Sequence, residues 1–190
     1  MNLIHAENFI MYLPENMTRT KGEFYFRSVN IDSDIDNVAR WLAISKPQSD
    51  ADPQSKYVEL IEQYTNILKS DCSYAVMALW QQVPIFLIEF HHAKMYYSDH
   101  AMPYEEGDYY VNLLFSDNMP KYDILNRALM SVLELFSAID TVKRIILPDP
   151  DDDPVKSLIL RWKNDQRSQP QEDNNGRLII IAFIKPLTLL

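Results

Sequence analysis

The chain has 190 residues, 47% of them apolar and 12% aromatic, and a net charge of −9. This length buries roughly 70% of the unfolded surface, so a single domain over residues 1–190 is expected, and the acidic balance argues against nucleic-acid binding, which needs a basic face. No stretch approaches the ~20 apolar residues that span a bilayer, and Met1–Pro14 carries no basic leader with an apolar run behind it, so a cytoplasmic protein with no membrane attachment is expected.

In chain order, Glu23–Val29 alternates as a strand, with Phe24, Phe26 and Val29 as core positions. Asp32 or Ser33 then caps a helix whose apolar residues Ile35, Val38, Ala39 and Leu42 follow helical spacing. Past a polar stretch with Pro47 and Pro53, a second helix carries Tyr57, Leu60, Ile61, Tyr64, Ile67 and Leu68 as one broad stripe. Cys72–Trp80 and Pro84–Phe90 read as two strands, and the short link Gln81–Val83 makes them an antiparallel hairpin. Cys72, the single cysteine, cannot form an internal disulfide and reads as core filling.

The long aromatic loop His91–Gly107 precedes a strand, Asp108–Phe115. A helix over about Lys121–Ala138 places Leu125, Ala128, Leu129, Val132 and Phe136 on one face. There follow a strand Arg144–Leu147, an acidic turn Asp149–Pro154, a short helix Val155–Lys163, a polar loop and a last strand, Arg177–Ile184. The order is strand, two helices, three strands, helix, strand, helix, strand.

Two apolar strands each carry one polar residue, Glu89 and Asn112. Polar groups are costly to bury without partners, so the pair suggests a site between those strands. Glu89 has two readings, a buried carboxylate that contacts a substrate or a strand residue whose side chain escapes to solvent. His91 and His92 point to opposite faces of the strand end, so at most one faces that site. The four histidines show no ligand spacing, and no metal is expected.

Taken together, the chain resembles the GCN5-related N-acetyltransferases (GNAT), and among them the acyltransferases of hydroxamate siderophore biosynthesis. The likeness rests on Phe26-Arg-Ser-Val29 followed by an acidic helix start and Trp41, on Pro84–Phe90 with its Glu89, on Asp108-Tyr-Tyr-Val-Asn112 where the family has Asp-x-Gly-x-His, and on Arg144-Ile-Ile-Leu-Pro-Asp-Pro-Asp151 where it has Arg-Ile-Val-x-Glu-Pro-Asp. The resemblance implies a mixed α/β (α+β) fold with a mostly antiparallel central sheet, flanking helices and splayed middle strands. It also implies transfer of an acyl group from acetyl-CoA or another acyl-CoA to a small-molecule amine or hydroxylamine, such as hydroxylysine or hydroxyornithine, without a metal and with a siderophore synthetase as a partner.

By that resemblance Asn112, Asp149 and Asp151 stand at catalytic positions, and Glu89, His92 and Asp108 at the acceptor. Leu114 and Phe115 would lie along the pantetheine arm, with Lys121 and Tyr122 at the pyrophosphate. Two departures stand out. Asn112 replaces the family's histidine and cannot take a proton. The stretch Asn118–Asn126 lacks the family's phosphate-loop glycines, leaving a helix N-terminus and Lys121 to meet an anion that Asp123 would repel. A GNAT-fold protein that binds without catalysing, and an acetyltransferase for another amine such as an aminoglycoside, are the alternatives.

Overall fold

A computed structural model describes residues 23–45, 52–96, 105–137, 139, 141–148, 168–172 and 178–182. The elements are β1 (Phe24–Ser28), α1 (Ile31–Ser45), α2 (Pro53–Leu68), β2 (Ser73–Trp80), β3 (Val83–His92), a single turn α3 (Ala93–Tyr96), β4 (Asp108–Phe115), α4 (Tyr122–Ser137), β5 (Arg144–Pro148), β6 (Ser168–Glu172) and β7 (Leu178–Ala182). Among the described residues the strands form one seven-stranded sheet in the order β1-β2-β3-β4-β5-β7-β6. β1 and β2, β5 and β7, and β6 and β7 pair antiparallel, whereas β4 and β5 pair parallel. This is the mixed, mostly antiparallel α+β architecture expected. No helix among the described residues is long and apolar enough to cross a membrane.

The chain packs as two compact units that interleave along the sequence. One comprises the described residues up to Glu89 together with Leu113–Lys121; the other comprises Phe90–Asn112 and the described residues from Tyr122 onward. In the first unit, Val38 and Trp41 of α1 and Leu60, Tyr64 and Ile67 of α2 bury against Ala75, Met77 and Leu79 of β2 and Leu87 of β3. Alternate strand residues point to one face, so this single face of β2 supplies Ala75, Met77 and Leu79. The link from β2 to β3 is the two-residue turn Gln81–Gln82, both residues at positive φ (50° and 67°), the twist that a tight hairpin demands.

In the second unit, α4 buries Leu125, Ala128, Leu129, Val132 and Phe136, the stripe its spacing predicts, and Leu133 and Leu135 in addition. Phe90 stacks on Phe136 with ring centroids 3.8 Å apart, and Tyr109 meets Phe136 edge-on at 4.9 Å.

Several boundaries differ from expectation for identifiable reasons. α1 starts at Ile31 because Asn30 caps it, the Asn30 side chain accepting the Ser33 N–H at 3.1 Å. Asp34 reaches back to the Asn30 N–H at 2.8 Å and receives Arg27 through two hydrogen bonds, at 2.5 and 2.7 Å. Leu68 is 41% exposed, because Ile67 takes the core-facing place in the last turn of α2. Cys72 is half-buried rather than core, in the bend before β2, where its N–H bonds to the Ser70 hydroxyl. β6 lies in the stretch expected as a polar loop: Ser-Gln-Pro-Gln-Glu has no apolar alternation, and an edge strand tolerates Pro170. The expected helix Val155–Lys163 lies outside the described residues.

Burial alone would raise the pKa of Asp34, but the hydrogen bonds from Arg27 and from the Asn30 N–H hold it below the ordinary carboxylate value of 3.8. A carboxyl depressed in the folded state adds stability above its unfolded pKa and loses it as pH falls through the folded one. Thermal stability is therefore expected to fall more steeply between about pH 5 and pH 3 in the parent than in Asp34→Asn, which starts less stable at neutral pH. Parallel curves in a pH series of melting temperatures would contradict this.

Candidate functional site

The site is built from the start of β4 and β5 in the second unit. Asp108, the first residue of β4, is fully buried, and a carboxylate so placed needs charge-assisted partners. Arg144, its direct partner in the parallel register, supplies them: Nε donates to Oδ1 at 2.7 Å and Nη2 to Oδ2 at 2.5 Å. The Glu105 N–H adds a third bond at 2.7 Å, and the exposed Glu105 carboxylate lies 3.3 Å from Arg144 Nη1. The hydrogen bonds to Asp108 raise the pKa of Arg144 despite its partial burial, so the guanidinium remains charged.

Gly107 completes this clamp, its carbonyl accepting the Lys143 N–H at 2.8 Å and the Arg144 N–H at 3.3 Å. β4 and β5 are thus tied firmly at their first residues. Their parallel register then runs through Tyr109↔Ile145 and ends at Tyr110↔Ile146. On its other edge β5 pairs with β7 from Ile145↔Ala182 to Pro148↔Ile179, and β4 continues through Val111 and Asn112 to Phe115. The described register between the two strands thus covers the three pairs next to the clamp.

Asn112 is half-buried on β4. Alternation sets it on the face of Asp108 and Tyr110, opposite Tyr109 and Val111. His92 sits with the other face: its ring meets Tyr109 edge-on at 5.3 Å, and its Nδ1 accepts the Lys94 N–H at 3.3 Å. The structure therefore keeps His92 and Asn112 on opposite sides of the sheet.

In the first unit Glu89 is 6% exposed, so its side chain does not escape to solvent, and its Oε1 accepts the Tyr64 hydroxyl at 2.5 Å. Burial, and then the Glu89 charge and hydrogen bond, push the Tyr64 pKa far up, so the phenol remains a donor. Leu114 packs against the cluster of α1 and α2 side chains, and Phe115 lies 6.2 Å from Phe86, ring to ring. Both side chains are half-buried. Lys121 is exposed just before α4, Tyr122 opens that helix half-buried, and Asp123 sits in its first turn.

Asp149 and Asp151 lie outside the described residues. Among the described residues no group of three or more His, Cys, Asp or Glu side chains is placed to hold a metal ion. Sequence reasoning passed over Tyr64, counted there as one more stripe residue. The signal was present in a phenol at a core position on a helix that packs beside a strand bearing a buried carboxylate. Arg144 was noticed only as part of a motif, and its pairing with Asp108 joins residues 36 apart in the chain.

Against solved structures the fold has clear counterparts. An uncharacterized protein from Bacillus halodurans is 18% identical, with a TM-score of 0.65 over 84% of this chain and 83% of that one. FdhC, described as a nucleotide-linked sugar GNAT, is 17% identical, with a TM-score of 0.59 over 85% of this chain and 86% of its own. AAC(6′)-Ib, solved in complex with ribostamycin and coenzyme A, is 16% identical, with a TM-score of 0.59 over 85% and 94%. The chain adopts the GNAT fold. No protein-family model matches it, and no curated protein matches it significantly.

Proposed function

We propose that the chain is a single-domain cytoplasmic N-acyltransferase that moves an acetyl or other acyl group from acyl-CoA to an amine or hydroxylamine. The observation that supports this reading is the GNAT fold with its parallel β4/β5 pair, whose register is described as far as Tyr110↔Ile146 and beyond which the strands are proposed to part. Pantetheine is a narrow chain with two amides, suited to lie along the edge of β4 at Val111 and Asn112 as an added strand would. At the start of α4 the first-turn N–H groups and Lys121 would meet the pyrophosphate, against the opposing charge of Asp123. The GNAT-fold neighbour solved with both ribostamycin and coenzyme A supports this pairing of donor and amine.

In the reaction, the acceptor nitrogen attacks the thioester carbon, the C–N bond forms, the C–S bond breaks and the nitrogen loses a proton. Asn112 orients the nucleophile by its amide but takes no proton. Asp149 or Asp151 is the proposed proton acceptor, and Glu89 binds the acceptor. Asp108 serves the acceptor indirectly, by holding the closed end of the strand pair. A hydroxylamine nitrogen is largely neutral near pH 7 and needs less help from a base than an alkylammonium does. That favours a hydroxylated diamino acid, of the hydroxylysine or hydroxyornithine type, whose hydroxamate product would pass to a siderophore synthetase.

Asn112 and the glycine-free start of α4 favour a second reading, a GNAT-fold protein that binds its ligand without transfer. Calorimetric titration with acetyl-CoA followed by a thiol-release assay separates the two. Binding with thiol release, faster on N6-hydroxylysine than on lysine or ribostamycin, is the expected result. Binding with no release on any acceptor would select the second reading, and no binding at millimolar acetyl-CoA would defeat the enzyme.

A further inference from the structure

The turn that follows β4 is fastened at three successive residues, all within the first unit. Ser116 is buried, and its N–H donates to the Ile85 carbonyl of β3 at 3.1 Å. Asp117 meets α1: Arg40 Nε lies 3.1 Å from its Oδ2, and Arg40 Nη2 lies 3.5 Å from its Oδ1. Asn118 donates its N–H to the Ser116 hydroxyl at 3.0 Å. Met119, Pro120 and the exposed Lys121 complete the turn, and Pro120 has a fixed φ that also restricts Met119 to extended backbone.

Of these ties, the one through Arg40 is the least explained by stability. The side chains of Arg40 and Asp117 are 54% and 30% exposed, and a pair so open to water adds little to folding. Yet it joins residues 77 apart in the chain, and its base is firm. Val38 and Trp41, which flank Arg40 in α1, are buried, and the Asn37 side chain accepts a further bond from Arg40 Nη2 at 3.0 Å. Arg40 is the one basic residue of α1, and Asp117 the one acidic residue between Ser116 and Lys121.

The lack of glycine in this turn gives the tie a purpose. A glycine-rich turn can rotate its N–H groups around an anion as the anion arrives. A turn without glycine must be set in its binding conformation beforehand, and a turn already held also lowers the ordering cost of binding.

We propose that Arg40 and Asp117 are positioning residues for acyl-CoA, their ion pair holding the turn Ser116–Lys121 to α1 so that the Lys121 ammonium is presented to the pyrophosphate. This rests on the reading that the chain binds acyl-CoA, and it deepens it: a contact from α1 takes the place of the conformational freedom that glycines would supply. The proposal has a sign of its own. A carboxylate near a bound anion repels it, so direct electrostatics alone predicts tighter binding when Asp117 loses its charge, whereas positioning predicts weaker binding.

Calorimetric titration of the parent chain, Asp117→Ala, Arg40→Gln and the double variant with acetyl-CoA tests this. Either single change is expected to weaken acetyl-CoA binding about two- to fivefold, and the double variant no further, because both changes remove one interaction. S-acetylpantetheine, which carries the thioester and both amides but no pyrophosphate, is the control, and its affinity is expected to be the same in all four proteins.

Unchanged or tighter acetyl-CoA binding in Asp117→Ala, an equal loss for S-acetylpantetheine, or fully additive effects in the double variant would overturn the proposal. Should Asp117→Ala not fold, Asp117→Asn takes its place with the same expectation, since it keeps the shape and removes the charge. A parent that binds no acetyl-CoA at millimolar concentration would remove the acyl-CoA reading and this proposal together. A parent that binds it, beside an Asp117→Ala protein that binds it equally well, would remove the proposal only.

Discussion

Asp108→Ala is expected to destabilise the protein by about 3–5 kcal/mol, the range for breaking a buried ion pair from one side. The reason lies in what it strands. Arg144 has a side chain only 15% exposed and would lose both of its short bonds, at 2.7 and 2.5 Å, while the Glu105 N–H would lose its acceptor. What remains to Arg144 is the Glu105 carboxylate at 3.3 Å, which is 68% exposed and so a weak substitute.

Urea denaturation followed by circular dichroism reads this as a fall in midpoint with an unchanged slope. Glu105→Ala is the control, expected to cost less than about 1 kcal/mol. A double variant that replaces Asp108 and Arg144 together by apolar residues is expected to lose less than the sum of the two single changes. Asp108→Ala within about 1 kcal/mol of the parent would show that the clamp does not hold β4 to β5.

The parts of the fold that were legible in the sequence are those where one periodic signal dominates. β4 was read at its observed bounds because Asp108 and Phe115 border an apolar run, and α4 was read to within a residue at either end because Leu125, Ala128, Leu129, Val132 and Phe136 repeat at helical spacing. Where the signal came from a single side chain, it misled. Asp32 and Ser33 are good capping types, yet Asn30 caps α1, and Asp34 is drawn into a bond with Arg27 seven residues earlier. β6 carries no apolar pattern at all, since an edge strand held by its backbone to β7 asks little of its side chains.

For the candidate residues the sequence offered types and positions but not pairings. The sequence left Glu89 open between a buried and a solvent-facing side chain, and its bond to Tyr64 was not legible at all, because periodicity reports which face a side chain takes and not what its hydroxyl meets 25 residues away. The same holds for Asp108, which was marked as polar and functional. Its partner Arg144 is set by the parallel register of two strands, a property that appears only once both are placed in one sheet.

Gly107→Ala is expected to cost about 3 kcal/mol, from two independent effects. Gly107 has φ +93°, a backbone conformation that side-chain-bearing residues rarely adopt, which costs about 1 kcal/mol or more. A Cβ there would also lie 2.6 Å from the Thr141 carbonyl oxygen and 2.8 Å from Lys143 Cγ. The lysine chain can swing away. The Thr141 carbonyl is backbone and can move only by disturbing the turn that delivers the Lys143 and Arg144 N–H groups to the Gly107 carbonyl, an overpacking cost of about 1–3 kcal/mol. For a chain of this size the melting temperature should fall by roughly 10 °C. Gly107→Asn separates the two effects, because asparagine tolerates positive φ better than alanine but brings the same Cβ. If the contact with Thr141 dominates, asparagine does no better than alanine. A Gly107→Asn protein as stable as the parent would show that the contact relaxes freely and that the turn beside Asp108 is not rigidly held.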